Sequence, residues 1–356
     1  MFKLLDWYII KKFLGTYIFA IMLILAITVM FDVNEKLDSF LKAPLKATIF
    51  DYFVNFLPYF ANQFSPLFTF IACIFFTSKL ADNSEIIAML SSGVSFRRLI
   101  VPYLVSAAVI AASTWVLSAY IIPPANVKRI DYTNTYVKNK RVDYGSNIQM
   151  MVAPGEIAYM GRFDNTTKTG YRFSLDKFDG KKLVSRLTAT TIKWDTLYKW
   201  QVRDYMIRDI EGLEEKITKG TRMDTIIPIE PRDFLISKND QETMTSPQLH
   251  EYIARQKARG VANIKAFEIE NERRYAMCAA AFILTVIGMC LSSKKVKGGM
   301  GINIGIGLTL SFGYILFMTV TSTFAVSGYT SPFVAMWIPN FLYIIIAIIL
   351  YYKAST

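Results

Sequence analysis

The chain has 356 residues, of which 53% are hydrophobic and only 19% are charged, and its formal net charge is +12. A mean hydropathy of +0.31 excludes an ordinary globular enzyme and indicates a polytopic membrane protein that carries a soluble portion. Residues 125–274 contain 27 Lys/Arg and 21 Asp/Glu, so this portion lacks the arginine-dense stripe of a nucleic-acid-binding protein.

Three apolar segments of membrane-spanning length occupy the first third of the chain. They are predicted at residues 13–31, 52–78 and 99–122. The first is too long for the core of a signal peptide and is expected to remain as an anchor. Pro123–Pro124 are expected to end the third segment.

A short amphipathic helix is predicted over about residues 82–93, between the second and third spans. Asp82 and Glu85 are spaced like a capping box, and Gly93 supplies a stop. Its apolar stripe is formed by Ile86, Ile87, Leu90 and Val94. Such a helix at a membrane surface either passes a push from a soluble partner into the spans or merely turns the chain around.

Short alternating runs replace the long apolar ones for roughly 140 residues after the third span, about the size of one domain. Six strands are predicted, at residues 147–152, 156–162, 171–176, 183–195, 200–209 and 225–229. Turns are expected at Pro154–Gly155, Asp179–Gly180 and Lys219–Gly220. This spacing predicts an all-β sandwich or jelly roll. A helix over about residues 247–259 follows it.

Three further spans are predicted at residues 275–291, 302–326 and 333–352, with a basic loop at Lys294, Lys295 and Lys297. The predicted fold is therefore a polytopic α-helical membrane protein with six transmembrane helices, three before and three after an inserted all-β domain. The predicted division is residues 1–124, 125–265 and 266–356.

The placement of charged residues in short loops predicts the orientation. With the N-terminus inside, the inner pieces carry ten basic residues and three acidic ones, whereas the short outer loops carry three basic and four acidic ones. Both termini and the 82–93 helix are therefore expected in the cytoplasm, and the β domain is expected in the periplasm.

The span cores contain no Asp, Glu, Lys, Arg or His. This disfavours an ion-driven transporter, which needs such groups at depth. The one histidine, His250, cannot form a paired metal site, and the chain has no phosphate-binding loop of the Gly-x-x-x-x-Gly-Lys-Ser/Thr type. We therefore expect no catalytic or metal site and no cofactor on this chain, with any ATP and Mg bound by a partner.

Several stretches resemble the LptF/LptG family, the permease subunits of the lipopolysaccharide-export ABC transporter. The most telling are SEIIAMLSSGVSFRRL at 84–99, GGMGINIGIGLTLSFGY at 298–314 and AMWIPNFLYIIIAIIL at 335–350. The patterns at 5–17 and 246–260 look more like the LptG member. One departure is Tyr275-Ala-Met-Cys, where the family usually has a proline.

The resemblance implies an inner-membrane subunit that pairs with an LptF-like paralogue, an LptB-like ATPase dimer and an LptC-like periplasmic protein. The short helix would dock on the ATPase, and Glu85 matches the family's acidic position, thought to pair with an ATPase arginine. A helix dipole favours an acid in this first turn, although Glu85 is also compatible with simple capping. The expected coupling residues are Glu85, Ile86, Leu90, Ser92, Gly93 and Arg97.

The resemblance also implies a binding site for lipopolysaccharide. Lys36, Lys42 and Lys46 lie where the family has lysines that contact lipid A phosphates, although Asp32, Glu35 and Asp38 leave a solvated loop of mixed charge as the alternative. Spans one and five would line a lateral entrance for the lipid. The β domain would be a jelly roll whose inward residues either form the core or guide lipid. These residues are Phe173, Leu175, Ile192, Trp194 and Val202.

Two other functions fit the same pattern. One is an ABC-type transmission subunit that relays ATPase motion to periplasmic partners without carrying lipid. The other is a membrane-anchored scaffold. Co-purification with an ATPase would exclude the scaffold, and lipid crosslinks from span one or five would distinguish an extractor from a relay.

Overall fold

A computed structural model describes residues 4–137, 144–212, 214–231, 240–258, 264–294 and 300–355, with no side chains described for 144–146 and 300. Lys3 and two members of the predicted basic loop, Lys295 and Lys297, lie outside the described residues, whereas Lys294 is described. The chain divides into two compact units. The first consists of residues 1–139, 242–246 and 265–356, and the second of residues 140–241 and 247–264.

The first unit is helical. Its helices are α1 (Leu4–Glu35), α2 (Leu37–Lys42), α3 (Leu45–Ala47), α4 (Val54–Gln63), α5 (Ser65–Asp82), α6 (Glu85–Ser91), α7 (Phe96–Val116), α8 (Ile122–Tyr132), α10 (Lys265–Ser292), α11 (Met300–Val326) and α12 (Pro332–Ser355). Helix α9 (Ser246–Ala258) belongs to the second unit except for its first residue. Within the described residues, six helical segments are long and apolar enough to cross a membrane. Their number agrees with the six predicted spans, although the second segment is Ser65–Asp82 and not 52–78, because α4 ends at Gln63.

Helices α5 and α10 form the centre of the first unit. Of the most apolar window of each segment, 78% is buried in α5 and 61% in α10, against 6% in α1 and 22% in α11. One buried cluster joins α5 and α10 to α1, α6 and α7, and a second joins them to α11 and α12. The two central helices therefore carry the packing, and α1 and α11 present most of their apolar surface outward.

The third span does not end at Pro123–Pro124, so this prediction was wrong. A π-helical turn, Leu117–Ile121, leads into α8, and the prolines occupy the first turn of α8. Proline is tolerated there because the first backbone N–H groups of a helix need no intrahelical acceptor. The helical path consequently continues to Val137 through a second π-helical turn, Thr133–Val137.

The second unit contains a six-stranded antiparallel sheet in the order β1-β2-β3-β4-β5-β6. The strands are β1 (Tyr144–Ala153), β2 (Glu156–Asp164), β3 (Thr169–Asp179), β4 (Lys182–Thr196), β5 (Lys199–Glu211) and β6 (Glu214–Ile226). Six apolar helices with a β domain inserted between them confirm the predicted fold class.

The predicted turns were correct where glycine adopts a positive φ. Gly155 (φ 79°) joins β1 to β2, and Gly180 (φ 60°) joins β3 to β4. Gly220, in contrast, lies within β6 opposite Tyr205, and the turn lies earlier, at Gly212 (φ 67°). The strand predicted at 225–229 was therefore misplaced, because β6 is an exposed, highly charged strand without clear alternation.

One face of the sheet is apolar and buried. Four of the five residues predicted to point inward are buried, with exposed fractions of 2% for Phe173, 7% for Leu175, and 0% for Ile192 and Val202. Trp194 is partly buried against the same cluster. These side chains form the core of this unit.

The pairing of all six strands is interrupted at one level of the sheet. The pairing register omits one residue of each strand there: Asn147, Gly161, Arg172, Thr190, Asp204 and Thr221. Asn147, Arg172 and Asp204 have φ near +50°. The pairs on either side of this level belong to one unshifted register, so the omitted residues of neighbouring strands lie opposite one another.

The contact between α5 and α10 can be tested at Gly288. A Cβ atom there would lie 3.1 Å from Cys73 Cβ and from Phe70 Cδ2. We expect Gly288→Leu to separate the central helices, destabilise the fold by about 1–3 kcal/mol and lower the thermal unfolding midpoint in detergent. Gly305→Leu is the control, since nothing lies within 4 Å of a Cβ at Gly305. Equal midpoints for the two variants would contradict the packing described.

Candidate functional site

Helix α6 is a single short helix between two spans. The end of α5 and the turn at Asn83–Ser84 precede it, and Ser84 adopts a left-handed conformation with φ of 61°. The helix ends at Ser91, with Ser92 as its C-cap and Gly93 next, and the Val94 N–H donates to the Met89 carbonyl at 3.3 Å. The φ of 91° at Gly93 fits the predicted stop.

The predicted capping box is not formed. Asp82 belongs to the last turn of α5, and Ser84, not Asp82, is the residue before α6. The side chain of Ser84 makes no capping hydrogen bond. The next helix starts as predicted, with Ser95 Oγ accepting the backbone N–H of Arg98 at 3.3 Å.

The apolar residues of α6 do not lie on one stripe. Ile86 is 1% exposed and belongs to the buried cluster that also contains Ile9, Phe13 and Leu99. Ile87 is 55% exposed. A difference of one residue turns a helical side chain by about 100°, so these two isoleucines face different directions. Ile86 anchors the helix, and Ile87 belongs to its outer face.

The exposed residues at the C-terminal end of α6 carry no charge, and the first exposed basic residue after them is Arg97. Leu90 is 38% exposed, and Ser92, Gly93 and Arg97 are also exposed. Ser92 Oγ donates to the Met89 carbonyl at 2.8 Å, which keeps this hydroxyl close to the helix. Of the predicted coupling residues, the structure brings these four to the surface and turns Ile86 inward.

Glu85 lies in the first turn of α6 and is half-buried. Tyr8 Oη donates to Glu85 Oε2 at 3.2 Å, and Asn83 Nδ2 donates to Glu85 Oε1 at 3.2 Å. A carboxylate has about four acceptor positions. Each oxygen can therefore accept a further hydrogen bond while it keeps the one shown.

An ion pair lies near α6 that the sequence analysis did not identify. The guanidinium of Arg98, at the start of α7, pairs with the carboxylate of Asp6, at the start of α1. The Asp6 side chain is 4% exposed. In the sequence, Asp6 is recognisable only as an acid beside an apolar run, because its partner Arg98 is 92 residues away.

The three predicted phosphate-binding lysines have different surroundings. Lys36 is bound to Asp32, and its ammonium also donates to Tyr52 Oη at 2.6 Å. Lys42 and Lys46 are exposed, on α2 and α3. Lys36 is thus partly buried and paired with an acid, whereas Lys42 and Lys46 are exposed.

A second cluster of charges, also not predicted, surrounds the start of α10. Arg274 is 3% exposed and donates to Glu270 Oε1 at 3.0 Å, Ser246 Oγ at 2.9 Å and the Met244 carbonyl at 2.9 Å. These bonds satisfy the guanidinium and fix the segment that returns to α10. Glu270 and Arg274 are four residues apart on one helix, but Ser246 and Met244 lie 28 and 30 residues from Arg274, so a local pattern does not predict their part in the cluster.

The same segment contacts α8. Arg129 lies 3.8 Å from Glu242, and Asn126 Nδ2 donates to the Glu242 carbonyl at 3.2 Å. Burial raises the pKa of the Glu242 carboxyl, and the negative charge of Glu270 raises it further. Arg129 opposes this rise. The cluster therefore joins α8, residues 242–246 and α10.

Arg274 tests this cluster. Arg274→Ala removes one of the two arginines that pair with the buried Glu270 carboxylate, while Arg273 remains paired with it, and is expected to destabilise the fold by about 1–3 kcal/mol. The measurement is the thermal unfolding midpoint of the purified protein. Arg255→Ala is the control, because the Arg255–Glu251 pair is exposed and such pairs contribute about 0–1 kcal/mol. If both variants unfold at the wild-type temperature, the cluster is not stabilising.

Comparison with known proteins supports one assignment. The family described as lipopolysaccharide export system permease LptF/LptG matches residues 7–353. A comparison with curated proteins gave no match. The match covers α6, all six spans and the sheet. The chain therefore belongs to the LptF/LptG family of lipopolysaccharide export permeases.

Proposed function

We propose that this chain is a non-catalytic permease subunit of an ATP-driven exporter that extracts lipopolysaccharide from the inner membrane and passes it to a periplasmic bridge. The observation that supports this most is helix α6. It packs inward through Ile86 and presents Ile87, Leu90 and a partly accessible Glu85 outward. A soluble partner that contacts this face can move the spans.

The partner on this face would be an LptB-like ATPase dimer. Its arginine would bind Glu85 through a charge-assisted hydrogen bond. ATP and Mg would be bound and used on that partner, with no cofactor on this chain. A paralogous permease would complete the membrane part, and an LptC-like protein would receive the lipid.

This proposal places α6 and both termini in the cytoplasm and the β domain in the periplasm. The excess of basic residues in the short loops on the α6 side supports that orientation. The division into residues 1–124, 125–265 and 266–356 then corresponds to membrane, periplasmic and membrane portions.

Helices α1 and α11 would face the lipid substrate. Both expose large apolar residues along their length, among them Phe19 (67%), Met22 (64%) and Leu316 (64%). An acyl chain needs such a surface and no charge. The exposed side chains of these two helices support a lateral entrance lined by α1 and α11.

Lys42 and Lys46 would bind the phosphates of the lipid head. They are exposed, so their ammonium groups can reach a phosphate as mobile charges. Lys36 is paired with Asp32 and would contribute less charge to this site. Its role would be to hold the end of α1 against Tyr52.

Glu85 provides the first test. Glu85→Lys places a cation opposite the expected arginine of the ATPase, and we expect lipopolysaccharide release from proteoliposomes to fall at least tenfold while the subunits still assemble. Asp82→Lys, three residues earlier and exposed, is the control and should keep release within about twofold. Wild-type release by Glu85→Lys would disprove the proposal.

The lysines provide the second test. We expect the double variant Lys42→Ala/Lys46→Ala to slow extraction of lipopolysaccharide about tenfold, since each phosphate contact of an exposed lysine contributes about 0.5–1 kcal/mol. Extraction from vesicles is measured at saturating ATP. Lys181→Ala/Lys182→Ala removes the same charge from an exposed turn of the sheet and should have no effect. An unchanged rate for the first variant would refute the assignment of the phosphate site.

A further inference from the structure

The first turns of α1 contact the region of α6 through several kinds of interaction. Ile9 and Phe13, both 0% exposed, share a buried cluster with Ile86. Tyr8 donates a hydrogen bond to Glu85. Asp6 pairs with Arg98 at the other end of the α6 connection. Apolar packing, a hydrogen bond and an ion pair thus connect the same two parts of the chain.

The burial of α1 is concentrated at its start. The buried residues of the whole helix are Asp6, Ile9, Ile10, Phe13 and Asp32, so four of the five lie within its first three turns. The long apolar section that follows is largely exposed. A displacement of α6 would therefore be transmitted to α1 at its starting turns, and the exposed length of α1 would amplify it.

Tyr8 is placed to link Glu85 to α1. The tyrosine is 39% exposed, with the ammonium of Lys12 5.9 Å from its ring centre. Its hydroxyl donates a hydrogen bond to one oxygen of the Glu85 carboxylate, and the side-chain amide of Asn83 donates to the other. Asn83 lies in the turn before α6, so of these two donors Tyr8 is the one that connects the carboxylate to α1.

We infer that Tyr8 is a positioning residue for coupling. Its hydroxyl orients the Glu85 carboxylate toward the partner's cation. When the partner moves α6, the same hydrogen bond transmits that movement to α1. Asn83 aims the same carboxylate but makes no connection to α1 through this contact. The inference rests on the proposed docking role of Glu85 and adds the route by which docking reaches the lipid-facing span.

The two donors to Glu85 allow a sharp test in the reconstituted complex with its ATPase. Tyr8→Phe keeps the ring and removes only the hydroxyl. We expect it to weaken ATPase binding about threefold to tenfold, the effect of one hydrogen bond to a partly exposed charge, and to lower the amount of lipopolysaccharide released per ATP hydrolysed. Asn83→Ala should weaken binding by a similar factor and leave release per ATP unchanged.

The double variant Tyr8→Phe/Glu85→Ala shows whether Tyr8 acts through Glu85. Where Glu85 is already alanine, Tyr8→Phe should cause no further loss of binding or of release per ATP. Trp7→Phe alters an adjacent, 66% exposed aromatic residue and is the control for general disturbance of α1. Thermal unfolding midpoints confirm that the variants fold.

Three results would overturn the inference. Wild-type release per ATP in Tyr8→Phe would show that the hydroxyl transmits nothing. An equal loss from Tyr8→Phe with and without Glu85 would show that Tyr8 acts independently of it. If Glu85→Ala itself leaves binding and release unchanged, the proposed function fails as well, so the two failures are distinguishable.

Discussion

The packing of Ile86 against the start of α1 is the contact on which the functional account depends. This isoleucine is 1% exposed and lies in one cluster with Ile9 and Phe13. Without that anchor, α6 would be a loose turn between two spans, and contact with its outer face would move nothing else. With it, the outer face of α6, the carboxylate of Glu85 and the first span form a connected body. The burial of Ile86 holds α6 rigidly against α1, and the hydrogen bond from Tyr8 orients the Glu85 carboxylate.

The distribution of buried surface separates helices that carry packing from helices that are available for function. Helices α5 and α10 fill the centre, and Gly288 allows close approach between them. Helices α1 and α11 leave most of their apolar surface outward. In a bilayer, outward apolar residues cost nothing, so this surface can face lipid or a second subunit. Among the described residues, the buried acids Asp6, Asp32 and Glu270 lie near the ends of spans, and each has a basic partner.

The sequence predicted the features that depend on local pattern. Span length, the glycine turns at Gly155 and Gly180, the stop at Gly93 and the cap at Ser95 all follow from residues close to one another. The failures have physical causes. The edge strand β6 needs no apolar alternation, and the prolines after the third span fit the first turn of α8. The Arg98–Asp6 pair joins segments 92 residues apart, and the burial of Lys36 and Arg274 depends on Tyr52 and Ser246, so the local i,i+4 spacing of these two with Asp32 and Glu270 did not reveal that they would be partly or fully buried.

The most direct measurement of the central claim is hydrogen exchange of the permease with and without its ATPase. The account predicts that binding slows exchange at the amides of residues 85–93 and also at those of residues 4–13, because the two are packed together. Protection of both segments, with the spans α5 and α10 already protected in the free protein, would support the connected body. Slowed exchange at residues 85–93 with unchanged exchange at residues 4–13 in the assembled complex would contradict it.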